Sequence, residues 1–159
     1  MTNPIEIKFV ADVMLGRLSK WLRVMGCDTH YQPFYRSEII DMSIREGRLL
    51  LTRNRRMTEK YHPSLLIETD NVRTQLQEIL KKGYLTLDSS RWFTRCLVCN
   101  IPLKKIPIEE SKAQIPDYIF NQNKPDIYLC PSCGRYFWPG SHKTRMMKQL
   151  SEWNLFNTD

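Results

Sequence analysis

Two kinds of side chain in this 159-residue sequence are equipped for chemistry: four cysteines in its second half and scattered carboxylates in its first. The cysteines form two C-x-x-C pairs, Cys96 with Cys99 and Cys130 with Cys133, separated by thirty residues. Four thiolates at that spacing suit a tetrahedral zinc ion, each short pair wrapping one side of the metal. With every position filled by Cys the ion has no open site, so the zinc expected here is structural and the reaction chemistry lies elsewhere. Two disulfides, or four unrelated buried thiols, are the competing readings, and a reducing setting favours metal. The intervening stretch is rich in Pro, Lys and Gln and offers little apolar material for a core. Zinc is therefore expected to contribute on the order of 10 kcal/mol toward folding it.

Among the carboxylates, Asp12 and Asp70 each follow an apolar run, as does the amide Asn54, while Glu38 and Asp41 lie three apart on a candidate helix. A ring of such acids repels itself unless a hard divalent cation sits within it. Mg²⁺ or Mn²⁺ accepts a few carboxylates plus waters, and one or two such ions can activate water against a phosphodiester. Each acid also has a plainer reading. Asp70 would cap the following helix, Glu38 would complement a helix dipole, and Asp41 would pair with Arg45. Asp12, between a buried strand and an apolar helix, needs a partner and is the hardest to explain in that way. Cys27 reads as a small core residue and His142 as a structural one. Trp92, Phe93, Tyr136, Phe137 and Trp138 flank the two cysteine pairs and either cover the metal, dock the module or stack on bases.

The elements that must position these residues alternate. Ile5–Val10 reads as a strand, followed by a helix through Leu15, Leu18, Leu22 and Met25 that stops at Gly26. Cys27–Tyr31 reads as a second strand. Ser37 is the expected N-cap of a helix burying Ile39, Ile40, Met42 and Ile44. Arg48–Thr52 is a buried strand leading into the basic loop R-N-R-R, Leu65–Ile67 another strand, and Thr69–Asn71 the opening of a helix through Val72, Leu76, Ile79 and Leu80. Strands alternating with helices imply a parallel sheet with right-handed crossovers, whose ligands bind beyond the carboxyl ends of the strands. A final helix from Ser141 is expected to turn Met146, Met147, Leu150 and Trp153 toward protein.

Lys and Arg number 24 against 17 Asp and Glu, a net charge of +7. That balance favours a polyanionic partner, most simply nucleic acid, over an unspecialised basic surface. The candidate contacts are a stripe of Arg17, Lys20 and Arg23 on the first helix and the loop cations Arg53, Arg55 and Arg56. The chain has no signal-like start and no apolar run long enough to span a bilayer, so a cytoplasmic setting without membrane contact is expected.

The blocks F-V-A-D-V-M-L-G-R-L-S-K-W-L-R-V-M-G and E-G-R-L-L-L-T-R-N-R-R, then R-C-L-V-C-N-I-P-L, I-P-D and C-P-S-C-G-R-Y-F-W-P-G-S-H, resemble the Mut-seven C-terminal RNase domain family. The resemblance covers nearly the whole chain in the right order. It implies an α/β, PIN-like three-layer domain over 1–90, followed over 91–159 by a small zinc-ribbon module and a C-terminal helix. It also implies an Mg²⁺ or Mn²⁺ nuclease site with catalytic acids at Asp12, Asp70 and, loosely, Glu38 or Asp41, and an RNA substrate. Two positions depart from the family pattern: Asn54 stands where an acid is usual, and Arg36 lies in a loop that is usually acidic. An amide offers one neutral carbonyl oxygen where Asp brings charge and two acceptors. The readings therefore open are a weakened Mg/Mn endoribonuclease, a non-catalytic RNA- or ribosome-associated binding protein, and a protein-interaction adaptor. The RNA itself, whether tRNA, rRNA or mRNA, and the oligomeric state are not written in the sequence.

Overall fold

The computed structural model describes residues 6–122 and 124–155. The chain divides into two compact units, with the boundary between Asn100 and Ile101. The first unit holds a four-stranded parallel sheet in the order β2-β1-β3-β4, with β1 Phe9–Ala11, β2 Thr29–Tyr31, β3 Leu49–Thr52 and β4 Ser64–Leu66. Every residue of β1 and β3 is buried. That is why these unbroken apolar runs take the two central positions, covered on both faces. Ile5, at the start of the first expected strand, lies outside the described residues, and β1 itself ends immediately before Asp12.

Helices α1 Gly16–Val24, α2 Ser37–Arg45, α3 Arg55–Lys60 and α4 Val72–Lys81 complete the layers. The register pairs Val10 with Leu50, and both side chains point into one cluster with Ile40 of α2 and Met57 and Tyr61 at α3. By alternation Phe9, Leu49 and Leu51 face the other side, where right-handed crossover places α1 and where α4 packs against it. The first unit is thus an α/β sheet covered on both faces. Leu18 and Leu22, four apart on α1, are fully buried. Gly26 ends that run at φ 84°, with Gly26 N–H on Arg23 O at 3.0 Å and Cys27 N–H on Leu22 O at 2.9 Å. This is a Schellman closure, which favours a residue without Cβ, and a Cβ at Gly26 would also meet Arg91 O at 2.4 Å.

Several local expectations are corrected. Ser37 is the first residue of α2 and the cap position belongs to Arg36, with no side-chain cap bond. Met42 is 48% exposed, and Ser43 takes the buried place beside it. The helix α4 is capped by Asn71, whose side chain accepts from Arg73 N, so Asp70 is not its N-cap. The R-N-R-R stretch is not all loop, since α3 begins at Arg55.

The second unit carries an antiparallel sheet in the order β5-β6-β7, with β5 Lys104–Ile106, β6 Ile127–Leu129 and β7 Tyr136–Phe137. Helices α5 Ile108–Ser111, α6 Asp117–Gln122 and α7 Ser141–Trp153 accompany it. It does possess a core: Ile106, Ile115 and Ile127 are buried together, with Ile108, Ile119, Phe120, Leu129, Tyr136 and Trp138 packed on them. The sparse isoleucines between the cysteine pairs converge because two short helices and two strands fold them inward. On α7 Met146 and Leu150 are buried, whereas Met147 is exposed. Among the described residues no helix is long and apolar enough to cross a membrane.

Candidate functional site

The strand order 2-1-3-4 reverses direction between β1 and β3, and Asp12 sits at the carboxyl end of β1 at this switch point. Its N–H donates to Leu51 O of β3 at 2.9 Å, continuing the ladder one residue past the strand. Its side chain caps the 3-10 turn Val13–Leu15 through Oδ1, which accepts from Met14 N–H at 3.4 Å. The other oxygen, Oδ2, accepts from the Thr52 hydroxyl at 2.6 Å. Thr52 Oγ in turn accepts from Asn54 N–H at 3.0 Å, so one buried hydroxyl orients the acid and fixes the chain leaving β3. Asp12 is 5% exposed, and this pair of bonds is the partner its burial demanded.

A cleft opens beside it, lined by Asp12, His30, Gln32, Phe34, Tyr35 and Arg36 among others. It offers about 20 Å³, room for a water molecule. Gln32 Oε1 is buried and has no hydrogen-bond partner among the described residues. His30 Nδ1 lies 3.1 Å from Ser43 Oγ, and burial, reinforced by the positive charge of Arg48, lowers the His30 pKa below its ordinary value.

The other acids form no close group with it among the described residues. Asp70 is an exposed side chain paired with Arg53, and Glu38 is exposed in the first turn of α2 with Asp41 one turn on. No three of Asp12, Glu38, Asp41 and Asp70 bring their oxygens together as a metal-holding group among the described residues. Asn54 caps α3, its Oδ1 accepting from Arg56 N–H at 3.0 Å.

Of the basic residues, Arg17, Lys20, Arg55 and Arg56 are exposed, with Arg55 3.9 Å from Glu68. Arg53 is half-buried against Asp70. Arg23 does not belong to the surface stripe: it is 7% exposed, donating from Nε to Thr29 O at 2.9 Å and from Nη1 to Leu97 O at 2.9 Å and Val98 O at 3.1 Å. Helical spacing put it three residues from Lys20, but the rotation of α1 turns that position inward. Burial lowers its pKa, opposed by the negative charge of Cys96, Cys99 and Asp28.

The Leu97 and Val98 carbonyls belong to the first cysteine knuckle. Each C-x-x-C turn is closed by a left-handed residue, Asn100 at φ 64° and Gly134 at φ 73°, with Asn100 N–H on Cys96 O and Gly134 N–H on Cys130 O, both at 2.9 Å. Asn is one of the few residues with a Cβ that takes this conformation at low cost. Here its side chain is also used, accepting from Thr29 N–H at 2.9 Å and donating to Asp28 Oδ1 at 2.7 Å. Burial opposes ionisation of Asp28, but the hydrogen bonds from Arg48 and Asn100 outweigh it and hold the carboxyl below its ordinary value.

The four Sγ atoms of Cys96, Cys99, Cys130 and Cys133 all lie within 4.8 Å of one another, with no disulfide. Zinc–sulfur bonds of 2.3 Å at tetrahedral angles need edges of about 3.8 Å, so the set fits a closed zinc site. Among the other candidates, burial pushes the Cys27 thiol up to about 11, as for an inert core residue. Tyr136 and Trp138 pack on the second unit's isoleucines, and His142 is exposed. Sequence reasoning passed over Thr52, His30, Gln32, Phe34 and Tyr35. The only signal for Thr52, Gln32 and the two aromatics was their position just beyond or at the carboxyl ends of strands.

A family model described as Mut7-C RNAse domain matches residues 7–150 of the chain. No curated protein and no solved structure matches it.

Proposed function

The chain belongs to the Mut7-C RNAse domain family, and from that premise we propose that it binds RNA and hydrolyses it slowly with Mg²⁺ or Mn²⁺ at Asp12. The observation that carries the reading is Asp12 itself: a buried carboxylate at the sheet's switch point, braced on both oxygens and opening onto a cleft. One carboxylate, with the unpartnered Gln32 Oε1 in the same cleft, suits a hard cation that keeps several waters and takes substrate phosphate as a further ligand. When bound, such an ion supplies positive charge where negative charge develops on the phosphoryl oxygens. Thr52 and the Met14 amide hold Asp12 in one orientation, so the carboxylate need not reorganise as the substrate arrives. Arg17, Lys20, Arg55 and Arg56 supply exposed charge for the backbone of the strand.

Asn54 is the reason for slow turnover. Its carbonyl oxygen is committed to capping α3, and it brings no charge. Asp caps a helix as well as Asn does, so Asn54→Asp restores an anion without loss of the cap. Manganese-dependent cleavage of labelled single-stranded RNA should be weak in the wild type, absent in Asp12→Asn and raised in Asn54→Asp. Strong cleavage that survives Asp12→Asn would place the reaction elsewhere. A second reading, a non-catalytic RNA- or ribosome-associated protein, draws on the neutral Asn54 and on the lack of a close group of three acids among the described residues. It gains if Asn54→Asp binds Mn²⁺ and stays silent. A protein-interaction adaptor would follow if RNA is not bound at all.

A further inference from the structure

We propose that Phe34, Tyr35 and Arg36 form a rim that stacks one unpaired base of an RNA strand at the mouth of the Asp12 cleft; this deepens the ribonuclease reading and rests on it. The three residues follow β2 and precede α2, and all three line the cleft that Asp12 lines. Phe34 is 51% and Tyr35 53% exposed, and they line the cleft together with Val10, Ile40 and Met57 of the buried apolar cluster. A lone surface aromatic needs no explanation, but two in succession at the mouth of the cleft holding the buried acid do.

The rings are also held. The Arg36 guanidinium lies 4.8 Å from the centre of the Phe34 ring, over one face of a side chain that is 51% exposed. Tyr35 Oη is 3.3 Å from Oη of the buried Tyr61 at the end of α3, which tethers that ring. Rings already fixed in place lose less freedom when a ligand stacks on them. At about 20 Å³ the cleft is too small for a nucleobase, so a base must lie on the rim. The strand's phosphates then pass between Arg36 and the acid's cleft.

The occupant follows from that chemistry. A flat π-face beside a cation matches a nucleotide, with its stackable base and anionic phosphate, on a chain of net charge +7. In a duplex both faces of each base are already covered by neighbours, so the rim selects single strands.

The test compares binding of a short single-stranded RNA carrying one 2-aminopurine, and of a duplex of the same sequence, to the full chain and its variants without divalent metal. Phe34→Ala and Tyr35→Ala should each weaken single-strand binding on the order of tenfold and abolish the 2-aminopurine response. Duplex binding through phosphates should be unchanged, which also reports that the variants are folded. Phe34→Trp and Tyr35→Phe, which keep a ring, should retain single-strand affinity. If the wild type binds the single strand and both alanine variants bind it equally well with the same fluorescence response, the rim is not a base site, while the ribonuclease reading stands. If the wild type binds neither the single strand nor the duplex, the ribonuclease reading itself falls and the rim proposal with it.

Discussion

Arg23 Nη1 donates to the Leu97 carbonyl at 2.9 Å, joining the first helix of the sheet domain to the turn between Cys96 and Cys99. The same guanidinium holds Val98 O and Thr29 O, so one buried cation satisfies three carbonyls from the knuckle and β2. A planar fork with several donors meets that geometry, whereas an ammonium does not.

Arg23→Ala should therefore lower stability by about 3 kcal/mol, since it removes charge-assisted bonds and leaves buried carbonyls unpaired. Arg23→Lys should recover only a minor part. Urea unfolding measures both, and zinc release to a chelator should quicken in parallel. A lysine variant as stable as the wild type would mean that charge alone matters.

The chain should carry one zinc ion, held by Cys96, Cys99, Cys130 and Cys133. Elemental analysis after purification without added metal should find one per chain, and none in Cys130→Ser with Cys133→Ser. Because zinc binding is coupled to folding on a scale of about 10 kcal/mol, chelation should unfold the second unit's sheet. Retention of native circular dichroism after metal removal would show that the isoleucine core alone suffices.

Thr52→Val removes the hydroxyl that orients Asp12 while keeping the side chain's shape. Groups that orient a metal ligand typically matter by about 10- to 100-fold, so Mn²⁺ affinity and RNA cleavage should both fall at least tenfold. Free Mn²⁺ measured by paramagnetic resonance gives the first and gel assays the second. If neither changes, Asp12 does not act through its Oδ2 geometry.

His30 makes stability depend on mild acid. Its folded pKa lies below its ordinary value of 6.5, because of burial and then the charges of Arg48 and Arg23, with Glu46 and Asp28 opposing. The unfolded chain thus takes up the proton first. The His30 contribution is complete above pH 6.5 and is lost as pH falls through the lower folded value. Unfolding midpoints measured between neutral and mildly acid pH should decline in the wild type and less so in His30→Gln. Equal slopes in the two would exclude His30 as the group responsible.

Much of the molecule was legible in one dimension because the relevant physics is local. The apolar run Leu49–Leu51 announces a buried strand, and the spacing of Leu18 and Leu22 announces α1. Paired C-x-x-C turns carry their own spacing, so the four cysteines that group in sequence also group in space. An acid directly after a buried strand, Asp12, marked the carboxyl edge of the sheet. Tertiary structure alone decided the rest, since each remaining point depends on contacts between residues far apart in sequence. Arg23 looks like a surface cation by its spacing from Lys20, and only the knuckle carbonyls more than seventy residues later make it a buried clamp. Thr52 is an ordinary strand terminus until β3 lies beside β1 and its hydroxyl reaches Asp12 across forty residues. Asp70 follows β4 as an exposed acid, and only the fold pairs it with Arg53. Sequence fixes what a residue can do within a turn or two of itself, whereas the pairing of strands and the rotation of helices choose its partner.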